Sequence, residues 1–364
     1  WGTGTCPGTP TRRCGSAARR NARSTSLRCN VGRWWAGGSG SWLDAWTNGD
    51  PLPATQLAVC GYGSYVDGPV TEDAYSAAAR ALHTVQSNVS THVARLEKEL
   101  GTVLVDRRTM QPTPEGQTVL ERARRIGSEI QAISDDILSM RDQVGGQVRI
   151  GCIGTTARWM ATALLERLRI SYPALHPVLV DANSNALTPQ VLNGELDMAV
   201  VNAPAVNAAL DTEPLFDEER VVVAPSQHPL AGRTTITLEE LAQHEVLLTP
   251  AGTTFRDSVD EELAEAGIKL QTVAEVDGLR LLASLAYQGH APALLPASAA
   301  SGYPTGAGEW AVVRVEGLSR RSVVLIRNRR TTPSLPARAA REALHEVIRK
   351  IGPDQPGIHV TLEP

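Results

Sequence analysis

Between Pro114 and Val144, apolar residues fall at Val119, Ala123, Ile126, Ile130, Ile133, Ile137, Met140 and Val144, an unbroken alternation of four- and three-residue steps. That spacing predicts one long helix with a heptad seam, because a repeat of seven keeps a single stripe turned toward a partner helix. Arg122, Arg124, Arg125, Glu129, Asp135, Asp136 and Arg141 fill the positions between, so the rest of the rod is solvated. Both ends are written locally. Thr113 is placed to cap the first turn, Pro114 suits a position whose N–H would be unpaired anyway, and Gly145-Gly146 is read as the terminator. A helix of this length spans roughly 45 Å, more than a small domain needs inside itself. It reads as a spacer and a dimer seam, with Ile126, Ile130, Ile133 and Ile137 at its centre. Gly127 within the rod leaves room for the alternative, an amphipathic helix lying on its own domain.

The chain on either side differs in kind. With 364 residues it can hold two or three domains, and a net charge of −4 means that any nucleic-acid surface must be local. Cys6, Cys14, Cys29, Cys60 and Cys152 form no CxxC pair, so neither a metal nor a disulfide framework is expected, and no cofactor either. The longest apolar runs fall short of a membrane span, and the Arg-rich start has no apolar segment behind it to make an export signal. Residues 1–74 carry five of the seven tryptophans (Trp1, Trp34, Trp35, Trp42, Trp46), no Lys, and neither helical nor strand periodicity. They are expected to be disordered, or an upstream or out-of-frame translation joined to the protein proper.

From Tyr75 the pattern sharpens. Tyr75–Leu82 reads as a short helix, His83-Thr84-Val85 as a turn, and Gln86–Gly101 as a second helix with Val89, Val93, Leu96 and Leu100 on one face. That is helix-turn-helix spacing. Gln86, Ser87, Asn88, Ser90, Thr91 and His92 lie on the opposite face near the N-terminus, with Arg95 one turn on, where such side chains reach base edges or phosphates. Val103–Val105 reads as a short strand. Asp106 to Pro112 follows as a basic wing carrying Arg107 and Arg108, and from Tyr75 to Arg125 eight basic residues stand against five acidic ones.

After the long helix, strands alternate with helices. Gln147–Ile153, Pro177–Asp181 and Leu196–Asn202 read as strands, with helices at Thr156–Ser171 and Thr188–Leu192 between them. A second group of segments follows at Arg220–Ala224, Leu238–Gln243, Val246–Leu248 and Gln271–Val276, with helices at Phe255–Ala266 and Gly278–Tyr287. Ala293–Leu295, Trp310–Val315 and Val323–Arg327 complete it, and Pro336–Ile351 is a closing helix. The expected class is α/β, a mostly parallel sheet. Ligands of such sheets sit beyond the carboxyl ends of strands, where helix N-termini and hydroxyls favour anions. Thr155 and Thr156 after the first strand, Thr253 and Thr254 before a helix, and Asn202 at a strand end are the expected effector contacts, for a small organic anion. Simple N-capping is the competing role for each threonine.

An enzyme is hard to build from these residues. The eight histidines are scattered, and there is no GxSxG elbow, no P-loop lysine and no GxGxxG after a strand. No metal site is expected.

Three stretches carry a family likeness: Ala78-Ala79-Arg80-Ala81-Leu82; the run from Gln86 to Gly101; and Thr113-Pro114-Glu115-Gly116. They resemble the winged helix of LysR-type transcriptional regulators over about forty positions. Gly194-Glu195-Leu196-Asp197-Met198-Ala199-Val200 and Val223-Ala224-Pro225-Ser226-Gln227-His228-Pro229-Leu230 resemble the same family's second domain. In one respect the chain departs: the family has a further helix before the pair, and Gly61, Gly63, Gly68 and Pro69 oppose one over residues 55–74. The likeness implies a winged helix-turn-helix at 75–113 lacking that first helix, a dimerising linker at 114–144, and a two-lobed effector domain of periplasmic-binding-protein type at 147–351. Lobe I would comprise 147–224 and 322–351 and lobe II 225–321, with crossings near Pro225 and Ser322 and a mobile tail at 352–364. It also implies a cytoplasmic homodimer or homotetramer that binds an interrupted palindrome of double-stranded DNA and answers to a small effector. A binding protein without DNA function, such as a transport receptor, is the alternative and would need an export signal.

Overall fold

The structure, a computed structural model, describes residue 79 and residues 85–109, 111–139, 143–205, 207–300 and 310–362. The segment 1–74 lies outside the described residues, as does the expected helix Tyr75–Leu82 apart from Ala79, which is helical and buried. The described chain opens with α1 (Gln86–Leu100), whose Val89, Val93 and Leu96 are each 3% exposed. Leu100, expected on the same face, is half exposed at the helix end instead, where Gly101 turns the chain away in the left-handed region (φ 68°). The wing is a narrow hairpin. Val105 bridges Pro112, the Asp106 amide donates to Gln111, and Glu97 of α1 accepts from the amides of Leu104 and Val105, tying wing to helix.

Helix α2 (Pro114–Ser139) is the long rod. Its cap is the expected one: Thr113 Oγ1 accepts from the Gly116 amide at 3.0 Å. Its end is not. The helix is described only to Ser139, and Gly145 and Gly146 open strand β1 (Gly145–Cys152) rather than terminating the rod. Gly146 has a packing reason to be glycine. A Cβ there would stand 2.5 Å from the carboxyl carbon of Asp135, so the strand passes the helix too closely for a side chain.

The second domain has two lobes, each a six-stranded mixed sheet between helices. Lobe I orders its strands β12-β4-β11-β3-β1-β2, from β1, β2 (Ala174–Asp181), β3 (Met198–Asn202), β4 (Leu210–Glu218), β11 (Arg321–Asn328) and β12 (Ile358–Val360). Its core holds Met160, Leu164 and Leu168 of α3 (Gly154–Ser171), Leu187 and Val191 of α4 (Ser184–Leu192), and the apolar face of a closing helix at Leu335–Ile351.

Lobe II orders β6-β10-β5-β9-β7-β8, from β5 (Arg220–Pro225), β6 (Thr235–Thr237), β7 (Glu245–Leu248), β8 (Gln271–Glu275), β9 (Ala293–Pro296) and β10 (Trp310–Glu316). One face packs on α5 (Leu238–Leu241) and α6 (Thr254–Glu265), the other on α7 (Leu279–Tyr287) and α8 (Ala297–Ala300). With these in place the closing helix is α9.

Three expectations need correction here. The sheets are not mostly parallel, because each crossing between lobes returns the chain as an antiparallel neighbour: β4 against β11 and β5 against β10. The outward crossing is at Glu219, between β4 and β5, six residues before Pro225, and the return runs through residues 317–320. The tail is not loose after Pro353. β12 adds an edge strand to β4, pairing Ile358 with Glu218 and Val360 with Phe216.

Candidate effector cleft and DNA-facing surface

A cleft of ≈ 490 Å³ lies between the lobes, and four helix N-termini open onto it. Ile153, Gly154 and Thr155 begin α3; Asn183, Ser184 and Asn185 begin α4; Thr253, Thr254 and Phe255 begin α6; Gly278, Leu279 and Arg280 begin α7. The sequence places them there because each helix follows a strand whose carboxyl end meets the cleft. Asn183 and Thr253 cap their own helices through the amides of Ala186 and Arg256, whereas Ile153 and Gly278 have no side-chain oxygen to offer. Two carboxylates, Asp181 and Asp277, and two guanidiniums, Arg280 and Arg321, line the cleft, so side-chain charge nearly cancels and helix dipoles set the local potential.

The floor is a buried network centred on Arg321, whose side chain is 3% exposed. Its Nε and Nη2 donate to Glu218, its Nη1 to Asn202 Oδ1 at 2.9 Å, and its Nη2 also to Thr155 Oγ1 at 2.9 Å. Thr155 and Asn202 are therefore cleft residues as expected, but both already accept from an internal cation. Thr155 keeps its own O–H as a donor. Thr254 Oγ1 and Asn185 Oδ1 lie 2.8 Å apart across the cleft, and Asn185 Nδ2 donates to the Gly252 carbonyl at 2.8 Å. Thr253 is chiefly a helix cap, its hydroxyl donating to Pro250 or Thr249. Thr156 does not line the cleft. It is fully buried as the third residue of α3, out of an effector's reach, contrary to the expectation.

The guanidinium carbons of Arg321 and Arg220 lie over the Phe255 ring, 5.7 and 6.0 Å from its centre, within cation–π range. Asp181, Asn183, Ser184, Asn185, Asp277, Arg280 and Arg321 were not expected in the cleft. The run Asp181-Ala182-Asn183-Ser184-Asn185 did carry a signal, since a polar cluster between a strand and a helix is the same pattern that flagged Gly154-Thr155.

Of the residues expected to meet DNA, Gln86, Ser87, Asn88, Ser90, Thr91 and Arg95 are exposed on α1, with His92 half-buried beside them. Burial first, then the Arg95 charge, holds the His92 imidazole below its usual range, which leaves it neutral at pH 7. Arg95 pairs with Glu99 one turn on at 3.0 Å. Arg107 and Arg108 are exposed at the hairpin tip.

Along α2, Ile126, Ile130, Ile133 and Ile137 are 42%, 41%, 55% and 50% exposed. The opposite side is fastened to lobe I: Arg125 Nε donates to the Leu192 carbonyl at 3.0 Å, Arg124 pairs with Glu195 at 3.0 Å, and Asp136 accepts from the Leu335 amide at the start of α9. One side of the rod thus lies on its own domain, and the isoleucine stripe is left facing outward.

No group of three His, Cys, Asp or Glu side chains suited to a metal occurs among the described residues, and no described helix is long and apolar enough to cross a membrane. Cys152 ends β1 in the lobe I core, 2% exposed, and desolvation pushes its thiol well above the usual range.

Residues 141–349 match the family described as LysR substrate binding domain, and residues 70–117 match the bacterial regulatory helix-turn-helix protein, lysR family. The DNA-binding transcriptional dual regulator OxyR of Escherichia coli is 27% identical over 274 residues, 75% of this chain and 88% of that protein. The probable hydrogen peroxide-inducible genes activator of Mycobacterium avium is 30% identical over 199 residues, 54% of this chain and 64% of that protein. A full-length OxyR variant from Pseudomonas aeruginosa superimposes with a TM-score of 0.63 at 25% identity, covering 82% of this chain and 97% of that one. With a helix-turn-helix at one end, a two-lobed α/β domain at the other and a long helix between, the chain belongs to the LysR family: it is a DNA-binding transcription regulator with an effector-binding domain.

Proposed function

We propose that this regulator responds to a small organic anion bound reversibly in the interlobe cleft, and that it transmits the signal from a dimer joined along α2. The observation that carries the reading is the convergence of four helix N-termini on one cleft whose side-chain charges nearly cancel. Thr155, Asn202, Thr253 and Thr254 are its expected polar wall, with Asn185 and Arg280 added from the structure. Gln86 and Ser87 lead the recognition face, with Asn88, Ser90, Thr91 and His92 behind them. Arg95, Arg107 and Arg108 neutralise phosphates on each half of an interrupted palindrome. The protein acts in the cytoplasm, where its DNA is, and catalyses no reaction. A binding protein without DNA function is disfavoured by the helix-turn-helix match over 70–117.

Two relatives are named for hydrogen peroxide or are OxyR itself, yet thiol oxidation is a poor fit to this effector domain. Peroxide sensing through cysteine needs an accessible thiolate. Residues 145–364 contain one cysteine, Cys152, and it is buried with a raised pKa. Reversible ligand binding is the remaining route. Calorimetry of the full chain against paired carboxylates and their neutral amides tests it: one or more acids should bind while their amides do not. Binding confined to neutral or cationic compounds would overturn the anion assignment.

A further inference from the structure

Asp181 and Arg280 form an ion pair across the mouth of the cleft, Arg280 Nη2 donating to Asp181 Oδ2 at 2.5 Å. Asp181 is the last residue of β2 in lobe I, and Arg280 stands in the first turn of α7 in lobe II. The pair sits on the first residue of α3. A Cβ on Gly154 would meet Asp181 Oδ1 at 2.7 Å and Arg280 Nε at 3.4 Å, so glycine is what lets the carboxylate approach. The residue before Gly154 is Ile153, which supplies no capping oxygen to that helix end. Asp181 thus brings its negative charge to the N-terminus of α3 and to a guanidinium at once, two features that suit any carboxylate entering the cleft. Both side chains are largely open to solvent, 41% and 61% exposed, so the bridge is weak and exchangeable.

We propose that Asp181 is a built-in competitor for the effector's carboxylate. The effector is a carboxylic acid that displaces Asp181 from Arg280, takes the guanidinium as a two-point partner and settles on the N-terminus of α3. The same exchange releases the bridge between the lobes, so occupancy and lobe geometry are linked through one pair of side chains. This rests on the anion-binding reading of the cleft given above, and it assigns Arg280 as the residue that selects a carboxylate over a neutral isostere.

The test titrates the full chain by calorimetry with acetate, butyrate and phenylacetate, and with phenylacetamide as the neutral control. Asp181→Asn keeps the shape and removes the charge. It should tighten binding of the best of these acids about tenfold and leave the amide unchanged. Arg280→Gln, alone or on top of Asp181→Asn, should abolish that gain. Asp277→Asn removes a carboxylate that also lines the cleft, and it should alter acid binding less than threefold, an expectation of about one screened charge. All three side chains lie at the cleft mouth, and melting curves matching the parent's confirm that the variants fold. Equal acid affinity in the parent and Asp181→Asn, or an equal gain from Asp277→Asn, overturns the displacement role while leaving the anion-binding cleft in place. A parallel gain for the amide overturns it too, because Asp181 is then only a mechanical clasp. If no variant binds any of the acids up to the solubility limit, the anion reading falls and this inference falls with it.

Discussion

Glu218 and Arg321 show how much of the two-lobed architecture rests on single side chains. Glu218 ends β4 one residue before the chain leaves lobe I, and Arg321 is the first residue of β11 after it returns. They face each other in the strand register, and neither is solvated: the side chains are 0% and 3% exposed. Glu218 also accepts from the Ser298 amide of lobe II at 2.6 Å, so one carboxylate ties both crossings and both lobes together. A buried pair of this kind is weak evidence of net stabilisation, but removing one partner strands the other charge without water. Glu218→Gln should therefore destabilise the domain by about 3 kcal/mol, because an amide NH2 would be turned on donors already in place. Denaturant unfolding followed by tryptophan fluorescence measures it. A loss below about 1 kcal/mol would mean that the strand pairing, not this pair, holds the hinge. Neither residue was visible as a partner beforehand, since they are about a hundred positions apart and each sits among ordinary surface-like charges in the sequence.

At the scale of elements, what the sequence discloses depends on whether an element carries its own period. Helices α1, α2, α3, α6, α7 and α9 do, and so do the buried strands β3, β5 and β9, whose runs are apolar on both faces. Strand β4 does not. Its register shifts opposite Val323 and Val324, so Leu215 and Phe216 are both buried in succession, and Pro214 interrupts what alternation remains. Strand β12 has three residues and exists only because β4 offers an edge. The cleft was half legible for the same reason. Hydroxyls after a strand are a local pattern, whereas Arg321, on a strand 166 positions from Thr155, reaches it by tertiary placement alone.

The linker helix carries a further testable feature in Asp135. It is 3% exposed where α2 meets β1, and its Oδ1 accepts from Gln131 at 2.9 Å. Burial pushes its carboxyl above the ordinary 3.8, the Asp136 charge adds to this, and Gln131 and the Gln147 amide oppose it. Asp197 nearby is raised as well, by burial first and partly by Asp135, while the Arg149 amide donates to it. Between 3.8 and its raised value the folded state holds more protons than the unfolded one, so Asp135 costs stability above that window and the cost fades as pH falls through it. Asp135→Asn should accordingly raise stability at pH 7, with the advantage shrinking toward pH 4. Melting temperatures of both proteins from pH 4 to 8 give the answer. A mutant less stable than the parent by the same margin at every pH would show that the ionised carboxylate is needed where it lies.

For the whole molecule, the stripe of Ile126, Ile130, Ile133 and Ile137 is the feature the single chain leaves unfinished. Four large apolar side chains at 41–55% exposure on one helix are not explained by folding of this chain alone. Ile126, Ile130 and Ile133 line a trough of ≈ 590 Å³ with Arg122, Arg125 and Glu129 on its flanks and Asn328, Arg330 and Thr331 of lobe I as its far wall. A second copy of the same helix answers both the spacing and the charged flanks, since e and g positions in such pairs carry opposite charges. Pairing through α2 would also hold two α1 helices at a fixed separation, which a recognition helix needs if two half-sites are to be read together. Ile133→Asp places an unpaired charge at the middle of the seam. Each seam isoleucine left in water forfeits about 1.5–3 kcal/mol and a desolvated carboxylate costs more, so the association constant should fall by about 100-fold or more. Thr118→Asp adds the same charge to an exposed position off the stripe and should leave the dimer intact. Sedimentation velocity reports the assembly, and gel shifts on a randomised duplex pool report the DNA. The Ile133 variant should sediment as a monomer and lose tight binding, while the Thr118 variant keeps both. If the Ile133 variant remains a dimer that binds DNA as the parent does, the subunits meet elsewhere and the heptad serves only to lay the rod along its own effector domain.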